Sequence, residues 1–228
     1  MDRMEWLEQS RLTVVVGYSG SGKTEFSVNL ALALAAEGEQ VMLADLDIVN
    51  PYFRSRERRP LLEKAGVRVI SSSQACSDAD VPALPAELLT ILENREIRGI
   101  LDIGGDPVGA RVLARFQPKI VQEDYQLIFV LNANRPEVRD AESAAAYLRS
   151  IEAVTGLTCS GLVNNTHLCG ETTPAEIRKG AALAEEVSQQ TGIPILCHTA
   201  ERRFLESLSD LGEPVFPIAI NMKKPWER

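Results

Sequence analysis

The chain has little cysteine, few aromatic residues and no long apolar run. Its 228 residues include four cysteines, and no two of them form a Cys-x-x-Cys pair. Widely spaced thiols of this kind are typical of reduced, mostly buried side chains, so a disulfide framework is not indicated. No apolar stretch approaches the roughly 18 residues of a membrane-spanning helix, and the acidic N-terminus carries no export signal. We therefore expect a cytoplasmic protein with no membrane partner.

Positive charge is also in short supply. The chain has 24 Lys and Arg residues against 32 Asp and Glu residues, a formal net charge of −8. This excess disfavours general attraction to nucleic acid or to an anionic membrane surface. A small nucleotide remains compatible, because local backbone dipoles can hold its phosphates. The length and the ordinary apolar content predict one folded domain over residues 1–228.

One glycine-rich stretch, residues 17–24, organises the rest of the chain. It reads Gly-Tyr-Ser-Gly-Ser-Gly-Lys-Thr, follows the apolar run 12–16 and precedes a helical pattern. This is the pattern of a phosphate-binding P-loop, in which Lys23 reaches the β- and γ-phosphates and the Thr24 hydroxyl holds Mg²⁺. The alternative is a glycine-rich turn that matches the pattern by chance. The residues expected around the phosphates are Gly17, Ser19, Gly20, Ser21, Gly22, Lys23, Thr24 and Glu25.

Apolar runs and helical patterns alternate along the chain from residue 12 to residue 208. Right-handed crossovers between such elements give an α/β fold, a doubly wound, mostly parallel sheet flanked by helices on both faces. We predict strands at 12–16, 41–44, 67–70, 99–105, 127–131, 161–163 and 193–196, and helices at 25–37, 85–93, 107–116, 136–151, 174–190 and 201–208.

Acidic residues follow two of the predicted strands. Asp45 and Asp47 come after the strand at 41–44, and Asp102 lies near the end of a later strand. Parallel sheets bind ligands at the carboxyl ends of their strands, so these acids are expected beside the P-loop. Asp102 is placed as the acid that holds Mg²⁺ directly or through water, and the Gly105 N–H is placed to meet the γ-phosphate. Asp45 and Asp47 also admit a simpler interpretation as solvated loop acids.

From residue 13 to about residue 220, the chain resembles the MinD/ParA-like P-loop ATPases of the CobQ/CobB/MinD/ParA superfamily. The resemblance implies that Asp47 orients or activates the attacking water and that Asp45 lies near the water shell of the metal. Lys23 and Asp47 would then be the catalytic residues, and Thr24, Asp45 and Asp102 the metal residues. The Asn with which the family recognises the base matches Asn164.

The chain departs from this family at Tyr18, where the MinD/ParA proteins carry a lysine that reaches across a nucleotide-sandwich dimer. ATP is therefore expected to be a weak dimerisation signal here, unless an arginine of the run Arg54, Arg56, Arg58 and Arg59 substitutes for it. The loop also resembles that of the nickel-chaperone GTPases, whose metal-binding motifs are absent. GTPases usually read guanine with Asn-Lys-x-Asp, and the segment at Asn164 lacks that Asp, so ATP with Mg²⁺ is favoured over GTP.

The resemblance implies an ATP-hydrolysing switch with a protein client. One alternative is a small-molecule kinase or ATP-dependent ligase of the dethiobiotin synthetase type, with the arginine run on a predicted loop at 48–60 gripping an anionic substrate. The other is a nucleotide-gated binding module without useful hydrolysis. A solvated surface run is the simpler interpretation of the arginines. His167 and Cys169 are two candidate ligands for a soft metal, which do not by themselves make a site.

Overall fold

The computed structural model describes Trp6 and residues 10–47, 55–71 and 87–222. Its strands are β1 (Leu12–Val16), β2 (Val41–Leu46), β3 (Arg68–Ser71), β4 (Arg98–Ile103), β5 (Tyr125–Leu131), β6 (Gly161–Asn164), β7 (Ile195–Glu201) and β8 (Val215–Ile218). They form one sheet in the order β3-β2-β4-β1-β5-β6-β7-β8. Every neighbouring pair in this sheet is parallel.

Helices connect most of the strands. They are α1 (Lys23–Ala36), α2 (Arg59–Lys64), α3 (Glu87–Glu93), α4 (Pro107–Ala114), α5 (Gln117–Ile120), α6 (Ala141–Thr155) and α7 (Pro174–Thr191). Short 3-10 turns lie at Ser55–Arg58, Pro136–Val138, Cys169–Glu171, Arg202–Phe204 and Glu206–Leu208. Within the described ranges, no helix combines the length and the apolar character that crossing a bilayer requires.

The sheet is buried on both faces, which explains why its strands read as continuous apolar runs. Val14 and Val15 of β1 point to opposite faces and belong to two separate core clusters. Phe26 of α1 covers the face of Val15, whereas Leu148 of α6 and Leu183 of α7 cover the face of Val14. The predicted doubly wound α/β fold is confirmed.

The position of β1 in the sheet determines where a ligand can bind. β1 lies between β4 and β5, with β2 and β3 to one side and β6, β7 and β8 to the other. The connection that leaves β1 leads to β2 on one side, whereas the connection that leaves its neighbour β5 leads to β6 on the other side. Connections that diverge in this way open a crevice at the carboxyl ends of the two strands. The P-loop follows β1 at this crevice, as the sequence predicts.

The helices predicted to begin at residues 107 and 174 do begin there, and a side chain caps each of them. Asp106 is the N-cap of α4, and its carboxylate accepts a hydrogen bond from the Gly109 N–H at 2.7 Å. Thr173 is the N-cap of α7 and accepts from the Glu176 N–H at 3.4 Å. Both caps satisfy N–H groups that the first turn of a helix leaves without a partner.

Several predicted elements differ from the structure. The strands predicted at 99–105 and 193–196 lie at Arg98–Ile103 and Ile195–Glu201. The helix predicted at 201–208 is wrong, because this segment forms two separate 3-10 turns, Arg202–Phe204 and Glu206–Leu208. The long helix predicted from residue 136 begins only at Ala141, because Asp140 caps it by accepting from the Ser143 N–H at 2.9 Å. The loop predicted at 48–60 is wrong over its last residues, which form a 3-10 turn and the start of α2.

One strand was not predicted from the sequence. β8 pairs with β7 at the edge of the sheet and contains Pro217. Proline lacks the N–H that a central strand would donate, so the segment carries no simple strand signal. An edge position tolerates it, because only one side of an edge strand is hydrogen-bonded to a neighbour.

Candidate functional site

The P-loop joins β1 to α1 in a tight turn. The Ser21 N–H donates to the Tyr18 carbonyl oxygen at 3.1 Å. Gly20 and Gly22 have φ angles of 74° and 85°, a left-handed conformation that residues with a Cβ rarely adopt. Gly22 is also the N-cap of α1, and no side chain caps this end of the helix. The first N–H groups of α1 therefore face the cavity beside the loop, where an anion is favoured.

Lys23 lies at the centre of the site with 7% of its surface exposed. Its Nζ donates to the Tyr18 carbonyl oxygen at 3.1 Å, which holds the ammonium group under the loop. Burial lowers the pKa of Lys23, and the nearby carboxylates of Asp102, Asp47 and Asp106 oppose this shift. The three acids therefore surround the lysine and favour its charged form.

Asp45 and Asp102 lie side by side at the ends of β2 and β4. They are Cα partners in the parallel register, and they are 2% and 1% exposed. Neither carboxylate oxygen of Asp102 has a hydrogen-bond partner among the described residues. Burial and, after it, the charge of Asp45 raise the pKa of Asp102 to about 7, against the opposing effects of Lys23 and of the Thr24 hydroxyl. A buried acid with unsatisfied oxygens fits a divalent cation, which would neutralise it.

A cation at this position would need further ligands in addition to the Asp102 carboxylate. In the part of the chain that the structure describes, no three His, Cys, Asp or Glu side chains cluster closely enough to hold a metal ion. Mg²⁺ at nucleotide sites is usually held by one or two carboxylates together with phosphate oxygens and water. The Thr24 hydroxyl, which the P-loop pattern assigns to the metal, lies close enough to Asp102 to lower the pKa of that acid. The residues present thus fit Mg²⁺ together with a nucleotide.

The segment after β4 packs directly against the P-loop. A Cβ atom on Gly105 would lie 2.7 Å from the Ser19 Cα and 2.8 Å from the Lys23 Nζ, so only glycine fits. A Cβ atom on Gly104 would lie 3.2 Å from Oδ1 of Asp47, which brings the acid after β2 beside the same segment. The predicted residues Asp47 and Gly105 are therefore near the phosphate cradle.

Tyr18, which stands where the resemblance led us to expect a lysine, packs against the core. Its ring meets the ring of Tyr147 on α6 edge to face, with centroids 5.2 Å apart. The Tyr147 hydroxyl donates to the Gly105 carbonyl oxygen at 2.8 Å. Burial first, and then Glu137, raise the pKa of Tyr18, so its phenol stays neutral. The two tyrosines connect the P-loop to the segment after β4.

A cavity of about 680 Å³ extends from the P-loop to the far edge of the sheet. Eight of its lining residues belong to the predicted site, namely Ser19, Gly20, Gly22, Lys23, Thr24, Glu25, Asp47 and Gly105. The others are Asp106, Arg135, Asn165, His167, Cys169, Gly170, Glu201, Arg203, Ile218, Ile220 and Met222. The residues missed by sequence reasoning come mainly from loops after β5, β6, β7 and β8, which follow no local motif.

The structure does not bring Asn164 to the cavity. Its amide group donates to the Ile177 carbonyl oxygen at 3.0 Å and lies 3.1 Å from Nδ1 of His198. Its side-chain oxygen accepts from the Thr166 N–H at 3.1 Å. These partners hold Asn164 in the core under α7, so the expectation that it contacts a base is not supported.

The neighbouring Asn165 faces the site instead. Its Nδ2 donates to the Ser21 carbonyl oxygen at 2.8 Å and contacts the Gly22 carbonyl oxygen at 3.3 Å. Its side-chain oxygen accepts from the Thr199 hydroxyl. Successive residues at the end of a strand point to opposite sides. This alternation explains why Asn164 faces the core and Asn165 faces the cavity. Asn165 therefore links β7, β6 and the P-loop at the cavity wall.

The carboxylate of Glu25 is hydrogen-bonded to other residues of the chain. Its carboxylate accepts from the N–H groups of Asn221 at 2.8 Å and Met222 at 2.9 Å, and from Nδ2 of Asn29 at 3.2 Å. Burial raises the pKa of Glu25, and these hydrogen bonds oppose the shift. The predicted nucleotide-binding role of Glu25 is thus indirect at most, because its oxygens hold the segment that contributes Ile220 to the cavity.

His167 lies at the cavity wall in a neutral form. Its Nδ1 accepts from the Cys169 N–H at 3.3 Å, which leaves the ring proton on Nε2. Nε2 has no partner among the described residues. Burial and, after it, the charge of Arg135 together lower the pKa of His167 to about 4. A neutral donor therefore faces the cavity beside Gly22.

The arginine run does not contribute to the cavity in the described part of the chain. Arg58 and Arg59 are absent from its lining, and Arg59 forms an ion pair with Glu63 at 3.4 Å on the surface of α2. Arg54 and the side chain of Arg56 lie outside the described residues. The predicted roles of the run as a clamp or a substitute cation therefore stay predictions.

Three comparisons place the chain among known proteins. The family profile of the CobQ/CobB/MinD/ParA nucleotide binding domain matches residues 12–215. The septum site-determining protein MinD of Helicobacter pylori is 24% identical over an alignment that covers 95% of this chain and 87% of that protein.

Solved structures share the fold. The cell division protein FtsY of Thermotoga maritima superposes with a TM-score of 0.55 at 21% identity, over 81% of this chain and 59% of that chain. The 54 kDa signal recognition particle protein of Aeropyrum pernix, solved in complex with GDP, gives 0.53 at 23% identity, over 82% of this chain and 41% of that chain. This chain thus matches about half the length of those proteins. On the family match over residues 12–215, the chain belongs to the CobQ/CobB/MinD/ParA family of nucleotide-binding domains and is a MinD/ParA-like P-loop NTPase.

Proposed function

We propose that the chain is a Mg²⁺-dependent ATPase whose nucleotide state controls its affinity for a protein client. The observation that carries this proposal is the buried acid Asp102, with unsatisfied oxygens, next to the buried Lys23 of the P-loop. A site that bound only an anion would be weakened by a buried acid in this position. A triphosphate accompanied by a divalent cation uses both charges.

The residues around the loop divide the binding of the triphosphate between them. Lys23 and the N–H groups at the start of α1 are placed to bind phosphate oxygens. Thr24 and Asp102 would hold Mg²⁺, with Asp45 near its water shell. Bound Mg²⁺ would supply positive charge to the phosphate oxygens during transfer. The Gly105 N–H would complete the cradle from the segment after β4.

Asp47 is the proposed positioning group for the attacking water. It lines the cavity next to the place where Gly104 and Gly105 meet the P-loop. A carboxylate there accepts a hydrogen bond from water and aims its oxygen at the terminal phosphate. Such a contact forms in the transition state and contributes little to the binding of the nucleotide.

ATP is proposed over GTP because the described cavity lacks the acid of the guanine-reading pattern. When that pattern, Asn-Lys-x-Asp, is aligned on Asn165, its Asp position falls on the exposed Leu168. Glu201 does line the cavity, but it forms an ion pair with Arg203 at 2.7 Å. An apolar wall of Ile218 and Ile220 leaves an adenine ring to be held mainly by packing.

The proposed switch is the segment from Gly104 to Asp106. Its Gly105 touches Ser19 and Lys23, and the Tyr147 hydroxyl holds its carbonyl oxygen. Loss of the γ-phosphate would remove the partner of the Gly105 N–H and change the position of the N-terminus of α4. Many NTPases signal to a partner when such a segment changes between an ordered and a disordered state. The client is expected to contact this edge of the sheet.

The proposal is tested by measuring ATP affinity and ATP turnover of the purified chain with Mg²⁺, with and without cell extract. Lys23→Ala should abolish binding or turnover, because it removes the buried charge and leaves the glycines. Lys119→Ala is the matched control, since Lys119 is exposed on α5 and pairs with Glu93. Normal ATP affinity and turnover in Lys23→Ala would exclude the P-loop assignment.

The same assay separates the alternatives. A switch should hydrolyse ATP slowly alone and faster with a protein fraction of the extract. A small-molecule kinase or ligase should respond to the low-molecular-weight fraction instead, and a binding module should bind ATP without turnover in any fraction. A competition titration with GTP tests the base, because displacement of ATP by an equal or lower concentration of GTP would reverse the preference.

A further inference from the structure

Arg135 is a cation at the P-loop that the motif analysis did not find. It lies in the loop between β5 and the 3-10 turn at Pro136–Val138, and its N–H donates to the Asn132 carbonyl oxygen at 3.0 Å. Its Nε donates to the Gly20 carbonyl oxygen at 2.8 Å. A Cβ atom on Gly20 would lie 2.6 Å from Cζ of Arg135, so the guanidinium plane covers this glycine.

The remaining donors of Arg135 are uncommitted. Among the described residues, no hydrogen bond or ion pair reaches its two terminal amino groups, and the side chain lines the cavity. Arg139, four residues on, is exposed and pairs with Asp140 at 3.8 Å. An arginine beside a main-chain carbonyl with two free amino groups is arranged to bind an anion through its planar fork.

The charge of Arg135 acts inside the cavity. It contributes to the low pKa of His167 after the effect of burial, so its field reaches the ring that lies beside Gly22. Lys23 is the other cation next to the loop, and it is surrounded by acids. Tyr18 supplies no positive charge, because a phenol is neutral or anionic, and its ring packs against Tyr147.

We propose that Arg135 contacts the triphosphate held in the P-loop and neutralises charge on its phosphate oxygens during hydrolysis. The proposal rests on the proposed ATPase function and adds a second cation from the same chain. The bond to the Gly20 carbonyl fixes one edge of the guanidinium and leaves the other edge for phosphate oxygens. Arg135 donates hydrogen bonds and transfers no proton. Arginines that act this way in other NTPases raise the rate by about 10³-fold or more.

A structural role is the competing explanation, because Arg135 also supports the loop through Gly20. The two roles differ in what they change. Support of the loop affects ATP and ADP equally, since both use the same N–H groups. Contact with charge that grows during transfer affects the single-turnover rate more than the affinity for ADP.

The experiment compares Arg135→Gln, Arg135→Lys and Arg135→Ala with the control Arg139→Gln. Thermal unfolding checks that each variant is folded, and titrations give the affinities for Mg-ADP and Mg-ATP. Single-turnover hydrolysis gives the rate of the bound complex. We expect Arg135→Gln to lower that rate by about 100-fold or more and to change ADP affinity by less than about threefold. Arg135→Lys should retain part of the rate, and guanidinium ion should partly restore Arg135→Ala.

Several results would overturn the proposal. An unchanged rate in Arg135→Gln, or an equal loss of ADP and ATP affinity with a normal rate, would leave Arg135 as a support of the loop. If the wild type binds ATP without hydrolysing it, the proposed ATPase function fails, and the preference for ATP over ADP becomes the test. That preference must then fall in Arg135→Gln, and an unchanged preference would exclude the contact. A wild type that binds no nucleotide would overturn both proposals.

Discussion

The carboxylate of Glu25 accepts a hydrogen bond from the Met222 N–H at 2.9 Å, which attaches the last described residues to the first helix. One turn along α1, Asn29 accepts from the Ala219 N–H at 2.8 Å and donates to the Ala219 carbonyl oxygen at 2.9 Å. Ile220 and Met222 form part of the cavity wall. A segment distant in sequence from the P-loop is thus held in place by the helix that the P-loop begins.

Glu25→Gln should weaken this attachment. A glutamine side chain has one acceptor oxygen, so it leaves the N–H of Asn221 or of Met222 without its partner. A lost hydrogen bond to a buried charged group costs about 1 to 3 kcal/mol, and we expect a loss of unfolding free energy in that range. Nucleotide affinity should fall as well, because Ile220 and Met222 line the cavity. Urea unfolding and nucleotide titration measure the two effects.

Glu37→Gln is the control for this substitution, because Glu37 is exposed at the opposite end of α1. If Glu25→Gln matched this control in both stability and affinity, the attachment would have no energetic role.

Asn164 and Asn165 should respond to alanine substitution in opposite ways. Asn164→Ala leaves three buried groups without partners, so we expect a loss of about 2 to 4 kcal/mol in unfolding free energy and near-normal affinity of the folded fraction. Asn165→Ala releases the Ser21 carbonyl oxygen and should weaken nucleotide binding about tenfold or more, with the smaller stability loss. Chemical unfolding and equilibrium titration of both variants test this. If Asn164→Ala instead weakened nucleotide binding and Asn165→Ala mainly lowered stability, the original prediction that Asn164 contacts the base would be supported.

The parts of the site that the sequence predicts are those encoded by local spacing. The glycines, the lysine and the threonine of the P-loop pattern all lie within eight consecutive residues, 17–24. Asp102 follows from its place in an apolar strand, because carboxyl ends of parallel strands meet at one edge. Asp47 follows from the same rule with help from the family resemblance. These relationships survive errors of a residue or two in the strand boundaries.

The rest of the site depends on packing that no short pattern records. Whether Asn164 or Asn165 faces the cavity depends on where β6 ends, and an error of one residue exchanges the two sides. Arg135 reaches Gly20 across 115 positions of the chain. The wall at Ile218 depends on β8, whose Pro217 hides the strand signal. Such long-range contacts follow from the sheet order rather than from spacing.

Asp47→Ala should separate binding from turnover. A group that only positions water acts in the transition state, so we expect ATP affinity within about threefold of the wild type and a hydrolysis rate lower by about 100-fold. Single-turnover hydrolysis and titration of the same preparation give both quantities. Asp124→Ala is a suitable comparison, since Asp124 lies just before β5, at the amino ends of the parallel strands and away from the P-loop. Equal rates in the wild type and Asp47→Ala would leave Asp47 as a loop acid.

ATP should change the oligomeric state of this chain little. The family's lysine would have to project from position 18, whereas the Tyr18 ring packs against Tyr147 and carries no charge near pH 7. Sedimentation of Asp47→Ala with Mg-ATP, which should hold the nucleotide intact, measures this. A clear shift from monomer to dimer would contradict the expectation. Loss of that shift in Arg54→Ala, Arg56→Ala, Arg58→Ala or Arg59→Ala would identify the arginine that replaces the lysine.

His167 should make the folded chain sensitive to acid. Its pKa is about 4 in the folded state, below the ordinary value of 6.5, because the ring is buried and Arg135 lies near. Between these two pH values the unfolded chain binds more protons at this residue than the folded chain does. The contribution of His167 to stability is therefore complete above pH 6.5 and is lost as the pH falls towards 4.

His167→Gln removes this titration and keeps a hydrogen-bond donor at the end of the side chain. Unfolding free energies of the wild type and of His167→Gln, measured by urea at several pH values from 7.5 to 4.5, isolate the effect because both share all other acids. The wild type should lose about 2 kcal/mol more than the variant over this range. Restoring the pH to 7.5 should restore the original difference, since the loss comes from protonation alone. Parallel curves for the two proteins would show that the ring is protonated as easily in the folded chain as in the unfolded chain, contrary to its burial beside Arg135.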